Sequence, residues 1–436
     1  MSFARWLALL GTAAAVDLSG ARLYEDVLGT AAAVDLSGAR LYEDVVAYSK
    51  SGEHRTGSRN LKEARRWYVE ELTKAGYAVE TLPFTVPYFD FESCALTIND
   101  AVAVECFPVW PAAAGAAAGA LGGAVAVVNA SAIGLDDATK AAIAAKIAAG
   151  AGAVVVVNGA NEALGADPNL PVALNVDVLS ANASQAWGAP VVVAPAHPAL
   201  VAGAGAYVEI AGTRRAVAGD EVVHAWLPAE GRFPYRPPVV VESGLSGWHA
   251  CGGERGPGVA LSLGVARWHA ARQRNGTAKA PYHFFATAGH ELGASMGLPD
   301  FYDRLADMGM GPLEVGGWLH AGSATVTYGA FPAAGVQRAE CAYANGSAVG
   351  ACAAVHLAAF APAATSPGGG GGGVAELIDE GYEAVGFWGS FPRFHTRDDA
   401  ADSTGPALLE PAAAAFVATL ACLEDELGAR GATAAP

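Results

Sequence analysis

The sequence predicts an α/β fold: a mixed, mostly parallel sheet flanked by helices, with an inserted smaller domain. From Pro237 onward, β-rich and helical segments alternate, as in a sheet whose strands are joined by crossover helices. Hydrophobic residues make up 53% of the 436 residues, which is enough for substantial cores. Residues 103–232 instead combine short apolar strands with one Ala-rich helix, which indicates a separate unit.

These differences in composition and pattern predict that the chain has three parts. Residues 29–102 and 233–436 are expected to form the α/β domain, and residues 103–232 the inserted accessory domain. Residues 1–28 are predicted to be a signal or duplicated appendage, because Leu10–Val27 and Leu28–Val45 are identical. Two perfect copies are too few, and too similar, for a solenoid repeat.

The elements follow from hydrophobic periodicity and turn residues. A helix is expected after the polar loop Glu53–Ser58, capped by Asn60 and ended by Gly76. The insert is expected to contain strands Ala124–Val128, Ala153–Val157, Pro190–Ala194 and Ala206–Ile210, and a helix near Asp137–Ala149. The C-terminal part is expected to contain strands Val239–Val241, His283–Ala286 and Trp318–Ala321, and helices Gly258–Gln273, from about Pro299, and Leu408–Leu427.

Charge and hydropathy narrow the classes of partner. The formal net charge is −17 and no basic run occurs, which argues against nucleic acid as a partner. No run approaches the roughly 20 apolar residues of a membrane span. The short apolar segment near Trp6 and four Asn-x-Ser/Thr triplets indicate a secretory route.

The six cysteines show no Cys-x-x-Cys spacing, which excludes a cysteine zinc knuckle. Cys341 and Cys352 could close a short disulfide loop. Buried thiols without a disulfide are the alternative.

Metal-capable side chains recur at strand or loop ends. The segment Tyr282–Gly293 is expected to be a buried strand that breaks at Ala288-Gly289 and delivers His290 and Glu291. Glu254, His320 and His395 follow other predicted strands. In an open α/β sheet, ligands bind outside the carboxyl ends of strands, and zinc prefers imidazole and carboxylate ligands.

The sequence matches neither of two common hydrolase motifs, the zincin motif and the nucleophile elbow. A zincin would need a second His four residues after His290, and Ala294 stands there. The segment Ser243–Gly247 only superficially resembles a Gly-x-Ser-x-Gly nucleophile elbow.

Four segments, in this order, resemble the co-catalytic zinc aminopeptidases of metallopeptidase family twenty-eight, with an insert similar to a protease-associated domain. They are Glu53–Ser58, Gly253–Ala260, Ala288–Gly293 and Phe394–Asp399. The resemblance implies five metal ligands and a general base. Its His-x-Asp falls on Ser243–Ser246, which offers neither group, and its bridging Asp falls on Glu254. Its Glu-Glu pair falls on His290 and Glu291, its later Asp on His320, and its last His on His395.

This pattern predicts a degenerate site that retains at most one zinc ion. Glu254, Glu291 and His395 are the expected ligands, with His320 at a further ligand position. His290 could replace the missing carboxylate as base, since an imidazole titrates near neutrality. Trp248, Arg255 and Trp388 border the site loops and are candidates for binding a peptide or small amide substrate.

A structural interpretation stands beside the catalytic one. An ion pair with Arg255 would leave Glu254 nothing for a metal, and Glu254 could simply stabilise a helix N-terminus. His320, beside Trp318, could be a satisfied core histidine. The chain would then be an inactive peptidase homologue, a pseudoenzyme that acts as a binding or structural protein and holds no metal.

Overall fold

The structure is a computed structural model. It describes residues 34–110, 113–130, 135–159, 167, 169–174, 187–227, 236–293, 300–322, 324, 326–328, 339–360, 365–367 and 371–433. The first copy of the duplicated segment therefore lies outside the described residues. The second copy continues into the first helix, Gly38–Ser49.

The chain order of the elements is as follows. The helices are α1 Gly38–Ser49, α2 Arg59–Ala75, α3 Asp137–Ala148, α4 Gly256–Arg274, α5 Phe301–Asp307, α6 Ala348–Phe360, α7 Gly372–Asp379 and α8 Pro406–Thr433. The strands are β1 Ala78–Ile98, β2 Val102–Val104, β3 Phe107–Pro108, β4 Gly115–Ala120, β5 Val125–Ala130, β6 Ala153–Asn158, β7 Val191–Pro195, β8 Gly205–Trp226, β9 Val239–Gly244, β10 Tyr282–Thr287, β11 Gly317–His320, β12 Ala339–Tyr343, β13 Thr365–Pro367 and β14 Ala384–Gly389.

A large mixed sheet forms the centre of the molecule. Its order is β13-β12-β14-β11-β9-β10-β8-β1-β2, and β4 pairs with β8. The four central strands β14, β11, β9 and β10 run parallel, whereas β8, β1 and β2 extend the sheet in antiparallel pairing. The predicted mixed α/β class is confirmed, and the parallel strands point their carboxyl ends at one edge.

A second sheet lies within the predicted insert. It has the order β3-β7-β6-β5, with β5, β6 and β7 parallel and buried valines along each of the three. Strand β8 begins within the predicted insert but pairs with β1 and β10 of the large sheet. The smaller sheet is therefore built from the part of the chain between Phe107 and Pro195, which is called the inserted unit below, whereas β4 in the same part pairs with β8.

Local sequence explains how α2 begins and ends. The hydroxyl of Ser58, rather than Asn60, caps the helix and accepts from the backbone N–H of Leu61. Gly76 ends it at φ 104°, a left-handed conformation that favours glycine. The predicted end is confirmed, and the predicted cap is wrong by two residues because Ser58 already satisfies the orphan N–H.

Helix α8 packs against α6, α1 and α4 on one side of the large sheet. Its 24 residues Pro406–Ala429 contain an 18-residue window with a mean hydropathy of 1.7, so by length and apolarity the helix could span a membrane, which the sequence did not lead us to expect. Half of that window is buried inside the protein, as expected for a core helix built largely of alanine and leucine.

The structure contains two disulfides, one between β1 and the segment just after β2 and one between two packed helices. Cys94 of β1 bonds to Cys106, and Cys352 of α6 bonds to Cys422 of α8. The suggested Cys341–Cys352 bridge is wrong, since Cys352 is taken by the helix packed beside it. Cys341 keeps a buried thiol.

Candidate metal centre

The candidate site lies beyond the carboxyl ends of the parallel strands. After β10, Gly289 takes φ 104° and Gly293 takes φ 95°, so the chain makes a single 3₁₀ turn, His290–Leu292, between two left-handed glycines. The loop from β9 to α4 carries Glu254, and the loop after β14 carries His395. Three separate loops thus bring their side chains to one edge of the sheet, as expected for this sheet class.

Three of the predicted site residues meet there. Glu254 Oε1 lies 3.5 Å from His395 Nε2 and 3.6 Å from His290 Nε2. One ligand atom from each of the three residues lies within 4.8 Å of the other two. Tetrahedral zinc with bonds of about 2.0–2.1 Å separates its ligands by roughly 3.3 Å, so the observed spacing suits a single ion.

The hydrogen bonding of these atoms supports the same conclusion. Glu254 and His395 are each 1% exposed, yet Glu254 Oε1 and His395 Nε2 find no hydrogen-bond partner among the described residues. Buried polar atoms are rarely left in that state, because each orphan costs free energy. A cation between them would satisfy both.

His395 is fixed by the inserted unit. Its Nδ1 lies 2.8 Å from the carbonyl oxygen of Ala173, which can only accept, so Nδ1 carries the proton and Nε2 presents its lone pair. The ring also stacks on Phe394 at 4.0 Å between centroids. A hydrogen bond from the remote nitrogen to a carbonyl is the usual support of a metal-binding histidine.

Glu291 lies beside the cluster but is held by other groups. Its Oε1 accepts from the backbone N–H and the hydroxyl of Thr56 at 2.5 and 2.7 Å, and its Oε2 accepts from Ser246 Oγ at 2.7 Å. Oε2 is also 3.6 Å from His290 Nδ1. The sequence assigned Glu291 as ligand and His290 as base, whereas the geometry brings His290 to Glu254 and commits Glu291 to hydrogen bonds.

His320 does not join the cluster. Its Nδ1 pairs closely with the buried carboxylate of Glu242, which also accepts from Thr287 Oγ1 at 2.6 Å. Glu242 and His320 are register partners on the parallel strands β9 and β11, so their side chains project from the same face of the sheet. The structure thus matches the interpretation of His320 as a core histidine with its own hydrogen-bond partner. His320 is not among the side chains that converge at the candidate metal centre.

Arg255 occupies the space beside the segment that lacks the His-x-Asp of the resembled family. At the position of the missing His-x-Asp, a Cβ on Gly244 would lie 3.2 Å from Arg255 Nη1. The Arg255 guanidinium fills this space, with Nε donating to Ser246 O at 2.9 Å and Nη2 lying 3.4 Å from Glu254 Oε1. A fixed positive charge therefore lies beside the position at which the resemblance implies a further ligand. A second group of potential ligand atoms, from Cys251, Glu254 and Asp399, shares Glu254 with the first group.

Two further candidates are placed less directly. Trp248 is buried and packs edge-on against Phe107, with ring centroids 5.7 Å apart. Trp388 covers Gly371, whose Cβ would lie 2.8 Å from the indole ring. Contact of Trp248 or Trp388 with a substrate stays a prediction.

The surroundings of the cluster favour an ionised carboxylate on Glu254 and a neutral imidazole on His290. Burial raises the pKa of Glu254, but its interactions with His395 and Arg255 outweigh burial and lower that pKa below its ordinary value. Burial and Arg255 lower the pKa of His290. Behind Glu254, burial and the charge of Glu254 raise the pKa of Asp399 to about 8. An ionised carboxylate with neutral imidazole is the state that binds a metal ion.

Sequence reasoning missed the supporting residues. Asp399 accepts from the backbone N–H of Gly253 at 2.6 Å and of Glu254 at 3.0 Å, which fixes the loop before α4. Thr56 and Ser246 hold Glu291. All three lie in segments singled out above, but nothing in the sequence marks such hydrogen bonds. Ala173 carries no signal at all, because it contributes only backbone.

Neither a protein-family model nor a curated protein sequence matches the chain. The fold, however, is similar to those of solved structures. An aminopeptidase from Aneurinibacillus sp. strain AM-1 has a TM-score of 0.61 and 16% identity, covering 88% of this chain and 93% of that chain. A zinc aminopeptidase from Bacillus subtilis has a TM-score of 0.66 and 14% identity, covering 89% and 95%. A peptidase M28 precursor from Shewanella amazonensis SB2B has a TM-score of 0.68 and 16% identity, covering 92% and 96%.

At these identities the likeness shows the fold. The chain has the mixed α/β architecture of zinc aminopeptidases and M28 peptidases, over nearly its whole length. The expected fold is therefore confirmed. The protease-associated character of the insert stays a prediction.

Proposed function

We propose that the protein is a metallo-exopeptidase-like hydrolase of the aminopeptidase type that holds one zinc ion on Glu254, His290 and His395. The observation that carries the proposal is the convergence of three side chains, two buried and one half-buried, with Glu254 Oε1 and His395 Nε2 both lacking a hydrogen-bond partner among the described residues. The fold shared with zinc aminopeptidases supports it. The substrate class is a peptide or small amide.

The proposal exchanges two roles relative to the sequence expectation. A nitrogen that binds a metal cannot also accept a proton, so His290 acts as ligand and not as base. Glu291, with both oxygens engaged, orients the His290 ring from 3.6 Å. The variant His290→Gln separates the possibilities, because a ligand variant binds zinc more weakly, whereas a base variant keeps its zinc affinity and loses turnover.

Bound zinc would polarise a substrate carbonyl and lower the pKa of water. The chain's own groups supply the rest. The side chain of His290 is 18% exposed, which leaves the cluster an open side, as a catalytic rather than structural site requires. Arg255 Nη2 is buried without a hydrogen-bond partner among the described residues, so it can donate to an oxygen of a ligand seated beside Glu254.

Metal analysis and turnover test the proposal together. The purified protein should carry one zinc per chain and hydrolyse aminoacyl-nitroanilides, and chelation should remove both properties. Glu254→Gln should lose zinc, whereas Glu383→Gln, in the loop before β14, should keep it. Absence of both zinc and turnover in the unmodified protein would refute the proposal.

The alternative function is a catalytically inactive peptidase homologue that binds a peptide or a protein. The observation that favours it is Arg255, whose guanidinium lies beside Gly244 where the resembled two-zinc enzymes have a metal ligand. A protein that binds zinc or peptide tightly but shows no turnover on any aminoacyl-nitroanilide would favour this function.

We further propose a secretory localisation. The disulfides Cys94–Cys106 and Cys352–Cys422 form and persist in oxidising compartments, which supports the route predicted from the N-terminal segment. Reaction of the native secreted protein with a thiol reagent should leave these four sulfurs unmodified.

A further inference from the structure

Ala173, in the inserted unit, makes a two-point backbone contact with the candidate metal centre. Its carbonyl oxygen lies 2.8 Å from His395 Nδ1, and its own N–H donates to the backbone carbonyl of His395 at 2.8 Å. A single residue of the insert thus holds both the ring and the main chain of one candidate ligand.

The main chain of His395 needs such support. Its φ is 58°, a left-handed conformation that residues with a side chain seldom adopt. Strained conformations of this kind persist only where the surroundings fix them. The hydrogen bond from Ala173 N–H is made to this strained residue.

The contact is anchored in the smaller sheet. Val172 and Ala173 are fully buried, and Leu174 is 2% exposed. Asn158, the last residue of β6, donates from Nδ2 to the carbonyl of Val172 at 3.5 Å. A continuous path therefore runs from the smaller sheet through the segment Val172–Leu174 to His395.

We infer that the inserted unit is a positioning element of the metal centre: Ala173 fixes the tautomer and orientation of His395, so that Nε2 faces Glu254 Oε1. The effect on metal affinity rests on the proposed zinc site, whereas the backbone clamp does not. The insert is then part of the site rather than an appended binding module, and displacement of Ala173 would weaken the centre without touching a ligand.

The position of the ring proton on His395 tests the backbone contact with Ala173 without any metal. In the full-length, zinc-free protein, nitrogen NMR should show a proton on Nδ1 of His395, protected from exchange and identified by its loss in His395→Gln. A neutral ring with a bare Nδ1 would overturn the inference, because the Ala173 carbonyl could not then accept from it.

Zinc titration of a matched pair of variants tests the consequence. Ala173→Pro removes the N–H that donates to His395, and should weaken zinc binding by about 10–100-fold, the usual effect of losing an outer partner of a metal ligand. Ala199→Pro removes one N–H hydrogen bond in the loop between β7 and β8, to His197 Nδ1, and should leave the affinity within about 2-fold.

The outcomes separate the two proposals. Equal zinc affinity in Ala173→Pro and Ala199→Pro would overturn the positioning role even if the zinc site is real. If the unmodified protein binds no zinc, the proposed function fails, and the Nδ1 proton alone still decides for or against the clamp.

Discussion

The carboxylate of Glu291 shows how its partners decide the role of a residue. Thr56 and Ser246 together direct three hydrogen bonds at its two oxygens. Burial raises its pKa, but the neighbouring His290 and the hydrogen bonds from Thr56 and Ser246 lower it overall. Glu291 therefore serves as a fixed anion that links the Glu53–Ser58 loop to the turn after β10.

Removal of the Thr56 hydroxyl should expose this dependence. Thr56→Val leaves the buried Glu291 Oε1 short of a donor, and the free energy of unfolding should fall by about 1–3 kcal/mol. Thr73→Val is the matched control, since its hydroxyl donates to Val69 O on the exposed side of α2. Denaturant unfolding measures both, and equal stabilities of the two variants would contradict the role given to Thr56.

Buried neutral histidines should make the protein sensitive to acid. His269 is fully buried between Tyr77 Oη and the carbonyl of Ala280, and burial lowers its pKa to about 3. Below about pH 6.5 the unfolded chain takes up a proton that the folded chain refuses, so stability is present above that pH and is lost as the pH falls toward 3.

The variant His269→Gln should therefore flatten the pH dependence. Each such histidine contributes a slope of up to about 1.4 kcal/mol per pH unit. Between about pH 6 and 4.5, the unfolding free energy should fall less steeply in the variant, and the difference in slope should be up to about 1.4 kcal/mol per pH unit. Parallel curves for the two proteins would show that His269 is already protonated in the folded state.

The sequence predicted the ligands unevenly, for physical reasons. Glu254 and His395 follow from motif position and both reach the cluster. Adjacent residues such as His290 and Glu291 could not be told apart, because the direction of each side chain depends on the 3₁₀ turn set by Gly289 and Gly293. The withdrawal of His320 depends on Glu242, a carboxylate inside a valine-rich strand that gave no signal of its own.

At the scale of elements, hydrophobic periodicity located the strands that carry the site. Strands β9, β10 and β11 and helix α4 lie within a few residues of their predicted positions. Strand β8 was predicted only as Ala206–Ile210, since its length of 22 residues comes from pairing with β1 over most of its course. Such pairing between distant segments leaves no local pattern.

The disulfide between α6 and α8 should be the more stabilising of the two. It closes a chain separation of 70 residues, against 12 for Cys94–Cys106. The loop-entropy relation gives roughly 4 kcal/mol for the former and roughly 3 kcal/mol for the latter. Thermal unfolding of the double variants Cys352→Ala/Cys422→Ala and Cys94→Ala/Cys106→Ala measures the difference, and a larger loss from the second pair would contradict this account.

At the scale of the molecule, the two sheets cooperate in one site. The large sheet supplies Glu254 and His290 from loops beyond its parallel strands, and the inserted unit supplies the backbone contact that orients His395. Composition alone predicted that an insert exists. That it reaches back to the metal centre depends on Ala173, which sequence reasoning had no means to select.

The central claim is a one-zinc centre with two imidazoles and one carboxylate, and X-ray absorption at the zinc edge tests it most directly. With one equivalent of zinc, the account predicts two histidine nitrogens and carboxylate oxygen at about 2.0–2.2 Å. One histidine should disappear from the shell in His290→Gln, and the shell should be unchanged in Glu291→Gln. A shell with one histidine, or one that loses its carboxylate in Glu291→Gln, would contradict it.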